Sequence, residues 1–167
     1  MHKSFDFVSI RTRLFWFFTT LVMVSCSISD VYHAMERIPE GNWKADQPVV
    51  FQVDVTDSVV PCNFYLQIRN NQEYPYSNLY LFLETTFPGG KNYTDTLECI
   101  LSGKDGRWLG KKTGSLFENE FLIRQRVLLP VAGTYRFAFK HAMRHDELTG
   151  ISAVGLRIAG WENDQKE

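Results

Sequence analysis

Apolar and polar residues alternate along most of the chain after residue 48, and this two-residue period predicts β-strands. In Val49–Thr56 the apolar residues occupy every second position and would share one buried face. The period returns in five further segments, 62–69, 93–101, 121–129, 134–142 and 151–158. A seventh segment, 79–86, is almost continuously apolar, as expected of a central strand covered on both faces.

Most gaps between these seven segments are polar turns too short for the crossover helix that a parallel sheet requires, and the one long gap, from residue 102 onward, has little periodicity. The mature part of the chain contains no long amphipathic helix pattern. We therefore predict an all-β fold, an antiparallel β-sandwich of jelly-roll or immunoglobulin-like type.

Segment Ser102–Glu118 interrupts the strand pattern with four glycines and little periodicity, which predicts a long loop. Loops of more than about 12 residues in a compact domain are usually functional or mobile. Trp108 stands among cations here, so we expect a contact surface for an acidic partner, with Trp108, Arg107, Lys111 and Lys112 as candidate binding residues. The alternative is that Trp108 packs under the sandwich and serves the fold.

The N-terminal segment has the layout of a lipoprotein signal peptide over residues 1–25. Three cations, Lys3, Arg11 and Arg13, precede the apolar run 14–24, which is too short to span a bilayer. Cys26 follows that run directly, with a small residue before it, so we predict cleavage there and acyl chains on Cys26. The alternatives are an ordinary secretory signal cleaved nearby, or an uncleaved anchor in which Cys26 is a plain thiol.

Cleavage would leave 142 of the 167 residues, which is enough for one domain with its own core. We expect a lipidated tether over 26–47, the β-sandwich over 48–161 and a C-terminal tail over 162–167.

The charge of the chain argues against nucleic-acid binding. The full chain carries a formal net charge of −1, and cleavage would remove three cations and one acid, leaving about −3. Such a chain has no electrostatic attraction to nucleic acid or to acidic lipid headgroups. Membrane attachment would therefore come from the acyl chains.

Two cysteines remain after the lipidated one, Cys62 and Cys99, and both are in phase with apolar strand positions. They form either a disulfide, which an envelope compartment permits, or two buried thiols that act as small hydrophobic groups. The chain has no CxxC pair, and its four histidines are scattered, so we expect no metal site and no cofactor.

The sequence contains no motif of a hydrolase, a zinc peptidase or a phosphate-binding loop. His141, His145, Asp146 and Glu147 cluster at a predicted turn, where charged residues are ordinarily solvated. We therefore expect no catalytic residues and no enzyme activity.

Aromatic residues on predicted outer faces and loops suggest binding instead. Tyr65, Tyr74, Tyr76 and Trp108 lie near polar groups such as Arg69, a combination typical of protein or sugar recognition. The alternative is that the tyrosines fold back over the sandwich. Two functions stay open: an interaction subunit of an envelope complex, and a membrane-tethered carbohydrate-binding module.

Several motifs in one order resemble the GldH gliding-motility lipoproteins of the Bacteroidetes. They are Arg69-Asn70-Asn71 with 74–81, Asp95-Thr96-Leu97-Glu98-Cys99, Gly106-Arg107-Trp108-Leu109-Gly110 with Gly114, and Arg136-Phe137 through Gly150-Ile151. The resemblance implies a cell-envelope lipoprotein associated with gliding machinery and type IX secretion, with envelope proteins as partners and no catalytic residues.

Two further expectations concern the envelope. Ser27-Ile28 after Cys26 contains no aspartate of the kind that retains enteric lipoproteins in the inner membrane, so we expect outer-membrane residence facing the periplasm. Asp57-Ser58-Val59 resembles Bacteroidetes O-glycosylation sites, and Ser58 in its predicted turn is the candidate acceptor.

Overall fold

A computed structural model describes residues 30–56 and 61–161 of the chain. These residues form strands and one 3-10 turn, Pro39–Gly41, and include no α-helix. The strands are β1 Asp30–Arg37, β2 Trp43–Lys44, β3 Val49–Val55, β4 Cys62–Asn70, β5 Asn78–Thr86, β6 Asn92–Ile100, β7 Lys111–Thr113, β8 Leu116–Val127, β9 Gly133–His141, β10 Glu147–Leu148 and β11 Ile151–Gly160. The predicted signal peptide, Cys26, Ser58 and the predicted tail lie outside the described residues.

The strands pair in a nested order around the β5–β6 hairpin. Outside that hairpin β4 pairs with β8, then β3 with β9, and then β1 with β11, all antiparallel. The result is two facing sheets, β1-β11-β4-β8-β7 and β3-β9-β5-β6. One long hairpin wrapped into two sheets in this order is a jelly roll, so of the two predicted sandwich types the structure adopts the first.

The two-residue period places the core between the sheets. In β4 the side chains from Cys62 to Ile68 alternate between buried and half-buried, and in β3 Val49, Phe51 and Val53 are buried. Leu66, Ile68, Leu156 and Ile158 are completely buried. Burying such a side chain contributes about 1.5 to 3 kcal/mol, so this shared face is the main source of stability.

Strand β5 is covered on one face and not on both, contrary to the prediction from its apolar run. Leu79, Leu81 and Leu83 point into the core, whereas Tyr80 and Phe82 are 38% and 41% exposed. A two-layer sandwich leaves the outer face of each sheet in contact with water, whatever residues stand there.

The predicted tether is wrong from residue 30 onward, because this segment belongs to the domain. β1 pairs with β11 along its length and forms an edge of the five-stranded sheet. Trp43 is 1% exposed, and its indole N–H donates to the carbonyl oxygen of Gln47 at 3.0 Å. β2 also pairs with β10, which covers one end of the core.

The sandwich has two ends, which we name after one residue at each. The Cys62 end carries the starts of β1 and β4, the β5–β6 turn, and the β8–β9 loop at residues 128–132. The Tyr74 end carries the segments 71–77, 101–110 and 142–150 and the β7–β8 turn.

Of the two alternatives left open for Cys62 and Cys99, the disulfide is not formed, since Cys99 carries a free thiol. Both side chains are buried, as their phase predicts, but Cys62 begins β4 whereas Cys99 pairs with Leu79 at the other end of the sandwich. A strand of this length separates the ends by roughly 25 Å, whereas a disulfide needs Cα atoms within about 7 Å. Burial raises the pKa of Cys99 to about 12.

Candidate functional site

The outer face of the five-stranded sheet contains a polar groove of about 650 Å³, which we call the Arg69 groove. Three strands and the short β7 supply its side chains, which are His33, Met35, Arg37, Gln67, Arg69, Lys111, Glu118 and Glu120. These residues share one face because each stands at an outward position of the two-residue period.

A glycine lowers the floor of the groove. Gly155 of β11 pairs with Met35 on one side and Gln67 on the other. A Cβ atom at Gly155 would lie 3.0 Å from both the Gln67 Oε1 and the Met35 Cε atoms. Because Gly155 has no side chain, the side chains of Met35 and Gln67 can approach each other across β11 at this position.

Arg69 is the central cation of the groove. Its Nη2 atom lies 3.1 Å from the Glu118 Oε1 atom. Its Nε atom is buried and has no hydrogen-bond partner among the described residues. The side chain as a whole is 39% exposed, so the Nη groups of this guanidinium retain the capacity to bind a further acceptor from the groove.

A hydrogen-bonded network borders Arg69 toward the Cys62 end. Arg157 donates from Nε and Nη2 to the two carboxylate oxygens of Glu120, at 2.9 Å each. Gln67 donates to the same carboxylate at 2.9 Å and lies 2.9 Å from His33. The hydrogen bonds from Arg157 hold the pKa of Glu120 below its ordinary value.

Both acids of the groove therefore form ion pairs, Glu118 with Arg69 and Glu120 with Arg157. Arg37 and Lys111 stand at its two sides and are exposed. This arrangement leaves excess positive charge in a concave surface, which suits a carboxylate or carbonyl group of a partner protein.

The predicted long loop is shorter than expected, because β7 and β8 form a hairpin from residue 111 onward. Arg107 lies before it, 87% exposed and 2.9 Å from Asp105. Lys111 and Lys112 are adjacent on the exposed edge strand, and only Lys111 lines the Arg69 groove. The predicted cations thus remain exposed at the Tyr74 end of the sandwich. Of the two neighbouring lysines, Lys111 lines the Arg69 groove and Lys112 does not.

Tyr74 and Trp108, the two predicted aromatic binding residues, pack on the core. Tyr74 is 3% exposed and its hydroxyl donates to the Asn78 carbonyl at 2.8 Å, so its prediction as a binding residue is wrong. Trp108 is half-buried, with its ring 5.5 Å from Phe117 and 6.4 Å from Tyr74. Neither ring projects as a binding anchor, and Trp108 follows the predicted alternative of packing against the sandwich.

The other aromatic residues divide between packing and exposure. Tyr76 stacks on His145, and Tyr65 lies under Arg157 at 4.0 Å. Tyr80 and Phe82 stay exposed on the outer face of the four-stranded sheet. Glu98 faces Tyr80 across the strand pair and accepts a hydrogen bond from Asn78 at 2.8 Å.

Residues His33, Arg37, Glu118 and Glu120 were not predicted as site residues. The first two fall in the segment interpreted as a tether, and the others in or beside the predicted loop. The outward phase of Arg69 and Gln67 in β4 was the available signal, but it does not reveal which strands lie on either side.

His141 is 2% exposed, packs edge-on against Trp43, and has its pKa lowered by burial. Within 30–56 and 61–161 no group of three or more His, Cys, Asp or Glu side chains is placed to hold a metal ion. No helix in those ranges has the length and apolarity to cross a membrane.

Comparison with known proteins identifies relatives of one kind. The family described as GldH lipoprotein matches residues 30–158. The chain is 37% identical over 153 residues to the "Gliding motility lipoprotein GldH homolog" of Christiangramia forsetii, covering 87% of this chain and 93% of the relative. It is 28% identical to the "Gliding motility lipoprotein GldH" of Flavobacterium johnsoniae, covering 83% and 89%.

Among solved structures, one of the infectious bursal disease virus Gx strain is 9% identical, with a TM-score of 0.33 over 83% of this chain and 32% of the other. A TM-score this low supports no conclusion about fold or function.

Proposed function

Because this chain belongs to the GldH lipoprotein family, we propose that it is a non-catalytic accessory subunit of an envelope motility complex that binds a partner protein in the Arg69 groove. Its relatives are named as gliding-motility lipoproteins and not as enzymes. These names give no mode of action, and we propose that the protein acts through contact with a partner protein.

The observation that carries the proposal is the state of Arg69. Its side chain is 39% exposed, in a groove where Arg37 and Lys111 add uncompensated positive charge. An incoming acceptor can therefore reach the Nη groups of Arg69 from the groove. Arginine also binds carboxylates in a bidentate geometry, so an acidic segment of an envelope protein is the fitting occupant.

We propose that acyl chains on Cys26 hold the protein at the outer membrane, facing the periplasm. The basic and apolar segments before Cys26 support lipidation, and the lack of an aspartate at residues 27 and 28 supports the outer membrane. Membrane fractionation of the native host on a density gradient would test the location.

The adjacent lysines of β7 allow a matched test of the groove. A photo-crosslinking amino acid at position 111 should capture an envelope protein in living cells, and the same group at position 112 should not. Lys111→Gln should likewise weaken co-purification of that partner, whereas Lys112→Gln should leave it unchanged. Equal capture from both positions, or capture from position 112 alone, would rule out the groove as the contact.

A second function, a membrane-tethered carbohydrate-binding module, is favoured by one observation. Tyr80 and Phe82 are exposed side by side on the four-stranded sheet, with Glu98 and Asn78 beside them. Flat aromatic rings flanked by polar groups suit the face of a sugar ring. In this case Phe82→Ala should abolish glycan-array binding and Tyr93→Ala, 57% exposed elsewhere on the surface, should not.

A further inference from the structure

Among the described residues, the exposed apolar side chains of the Cys62 end include those of Val31, Leu128 and Val131. Leu128 and Val131 of the β8–β9 loop are each 53% exposed, and Val31 at the start of β1 is 56% exposed. β1 and β8 belong to one sheet and are separated by β11 and β4, which corresponds to roughly 14 Å. The three side chains therefore lie along one edge of the molecule.

The β8–β9 loop holds its apolar side chains outward in a defined conformation. The Tyr135 hydroxyl donates to the Val131 carbonyl at 2.9 Å and accepts from the Val131 N–H at 3.2 Å. Leu129, between the two exposed residues, is buried in the core. Because Val131 and Leu129 anchor the loop, it cannot turn Leu128 and Val131 inward. A loop that is already ordered also loses less conformational entropy when it binds a surface.

The polar groups around this loop suit a lipid headgroup layer. Arg126 lies 4.2 Å above the ring of Trp161, and arginine and tryptophan are both favoured at membrane interfaces. Two of the described acids near this end form ion pairs, Asp30 with Arg157 and Asp95 with Arg124. Their engagement reduces the repulsion that unpaired carboxylates would meet at an anionic surface.

The chain itself indicates what covers this end. Cys26 precedes Asp30 by four residues, a span of at most about 14 Å even when fully extended. If acyl chains on Cys26 are inserted in a membrane, that membrane lies within reach of the Cys62 end. The Tyr74 end is then roughly 25 Å away, one full strand length.

We propose that the Cys62 end rests on the membrane that holds the lipid anchor, with Leu128 and Val131 inserted among the lipid headgroups. This inference depends on lipidation of Cys26 and not on the partner of the Arg69 groove. The groove lies toward the other end and stays open to the periplasm while the Cys62 end is covered.

The test uses the full lipidated chain in vesicles of phosphatidylethanolamine and phosphatidylglycerol. Leu128→Cys carries an environment-sensitive nitrobenzoxadiazole label, and Leu109→Cys, 62% exposed at the Tyr74 end, carries the same label as control. Cys62 and Cys99 are buried, and the wild-type chain measures any label they take up. Intact mass establishes the lipid on Cys26 before labelling.

The label at position 128 should emit at shorter wavelength and lose intensity when the vesicles contain nitroxide-labelled lipid, because interfacial groups insert about 5 to 10 Å. The label at position 109 should show neither change. Equal emission and quenching at both positions would overturn the proposal, and so would a blue shift at 128 without lipid quenching, which would indicate a protein contact. An intact mass that shows no lipid on Cys26 would also overturn the proposal, because lipidation is its premise. That result would leave the proposed role of the Arg69 groove unaffected.

Discussion

Trp108 closes the Tyr74 end of the core between Phe117 and Tyr74. The backbone fixes it there, because Trp108 forms a β-bridge with Ser102, and the next residue, Leu109, donates its N–H to the Leu101 carbonyl at 2.9 Å. At the residue scale this tryptophan contributes apolar area to the fold, while the neighbouring cations remain at the surface.

Trp108→Ala should destabilise the protein by about 2 to 3 kcal/mol, somewhat less than the 3 to 5 typical of fully buried aromatic residues, because Trp108 is only half-buried. Leu109→Ala is the matched control, since Leu109 is 62% exposed and should change stability by less than about 0.5 kcal/mol. Urea unfolding of both variants measures the difference. An unchanged midpoint for Trp108→Ala would return this residue to the role of a surface contact.

Gly150→Ala should be more damaging than any surface change. A Cβ atom at Gly150 would lie 2.3 Å from the backbone nitrogen of Tyr74, and the residue has φ +84. Gly90 has a similar φ of +81 but nothing within 4 Å, so Gly90→Ala should cost only the left-handed penalty of about 1 to 2 kcal/mol. Thermal unfolding should show a much larger loss for Gly150→Ala, and equal losses would mean that backbone strain alone is responsible.

At the scale of elements, β1 shows how an edge strand completes both the fold and the site. Its inward residues Tyr32 and Ala34 pack on the core, and its outward residues His33 and Arg37 line one side of the Arg69 groove. β7 does the same on the opposite side with Lys111. The groove therefore exists only where two edge strands flank β11, β4 and β8.

Deleting residues 30–37 should lower the melting temperature sharply or cause aggregation, because β11 would lose its partner and expose an unpaired edge. Inserting eight glycine and serine residues between Ser29 and Asp30 is the control, and it should leave the melting temperature unchanged. Should the deletion melt like the wild-type protein, β1 would be a tether in solution.

At the scale of the whole molecule, the jelly roll separates the chain's entry point from its groove. The chain enters β1 at the Cys62 end, whereas Arg69 and Glu118 lie near the opposite ends of their strands. A protein held by its N-terminus would thus present the Arg69 groove away from the membrane, where a partner can reach it.

Cys26→Ala should move the protein from the membrane fraction to the soluble envelope fraction, because the remaining apolar contacts are too few for stable attachment. Ser27→Ala, one residue later, is the control and should remain with the membrane. Fractionation followed by immunoblotting measures both variants. If the processed Cys26→Ala protein stays with the membrane until detergent is added, lipid anchoring through Cys26 is contradicted.

The local pattern of the sequence was sufficient to predict seven of the strands, β3 to β6, β8, β9 and β11. Alternation in Val49–Val55 and Cys62–Asn70 reports a half-buried strand directly, since side-chain direction in a strand repeats every two residues. The nearly continuous apolar run in β5 was misinterpreted because coverage of its second face depends on a third layer that this fold lacks. Residues 30–47 were misassigned because one edge strand and a two-residue ribbon carry little periodicity.

Only the tertiary structure decided which strands are neighbours, and with them the site. Arg69 was recognisable as an outward residue of β4, but Arg37 and Lys111 come beside it through pairings that join residues far apart in sequence. The same long-range pairing placed Cys62 and Cys99 at opposite ends and turned Tyr74 into the core. Periodicity is a property of adjacent residues, whereas a groove between strands depends on contacts that no local pattern encodes.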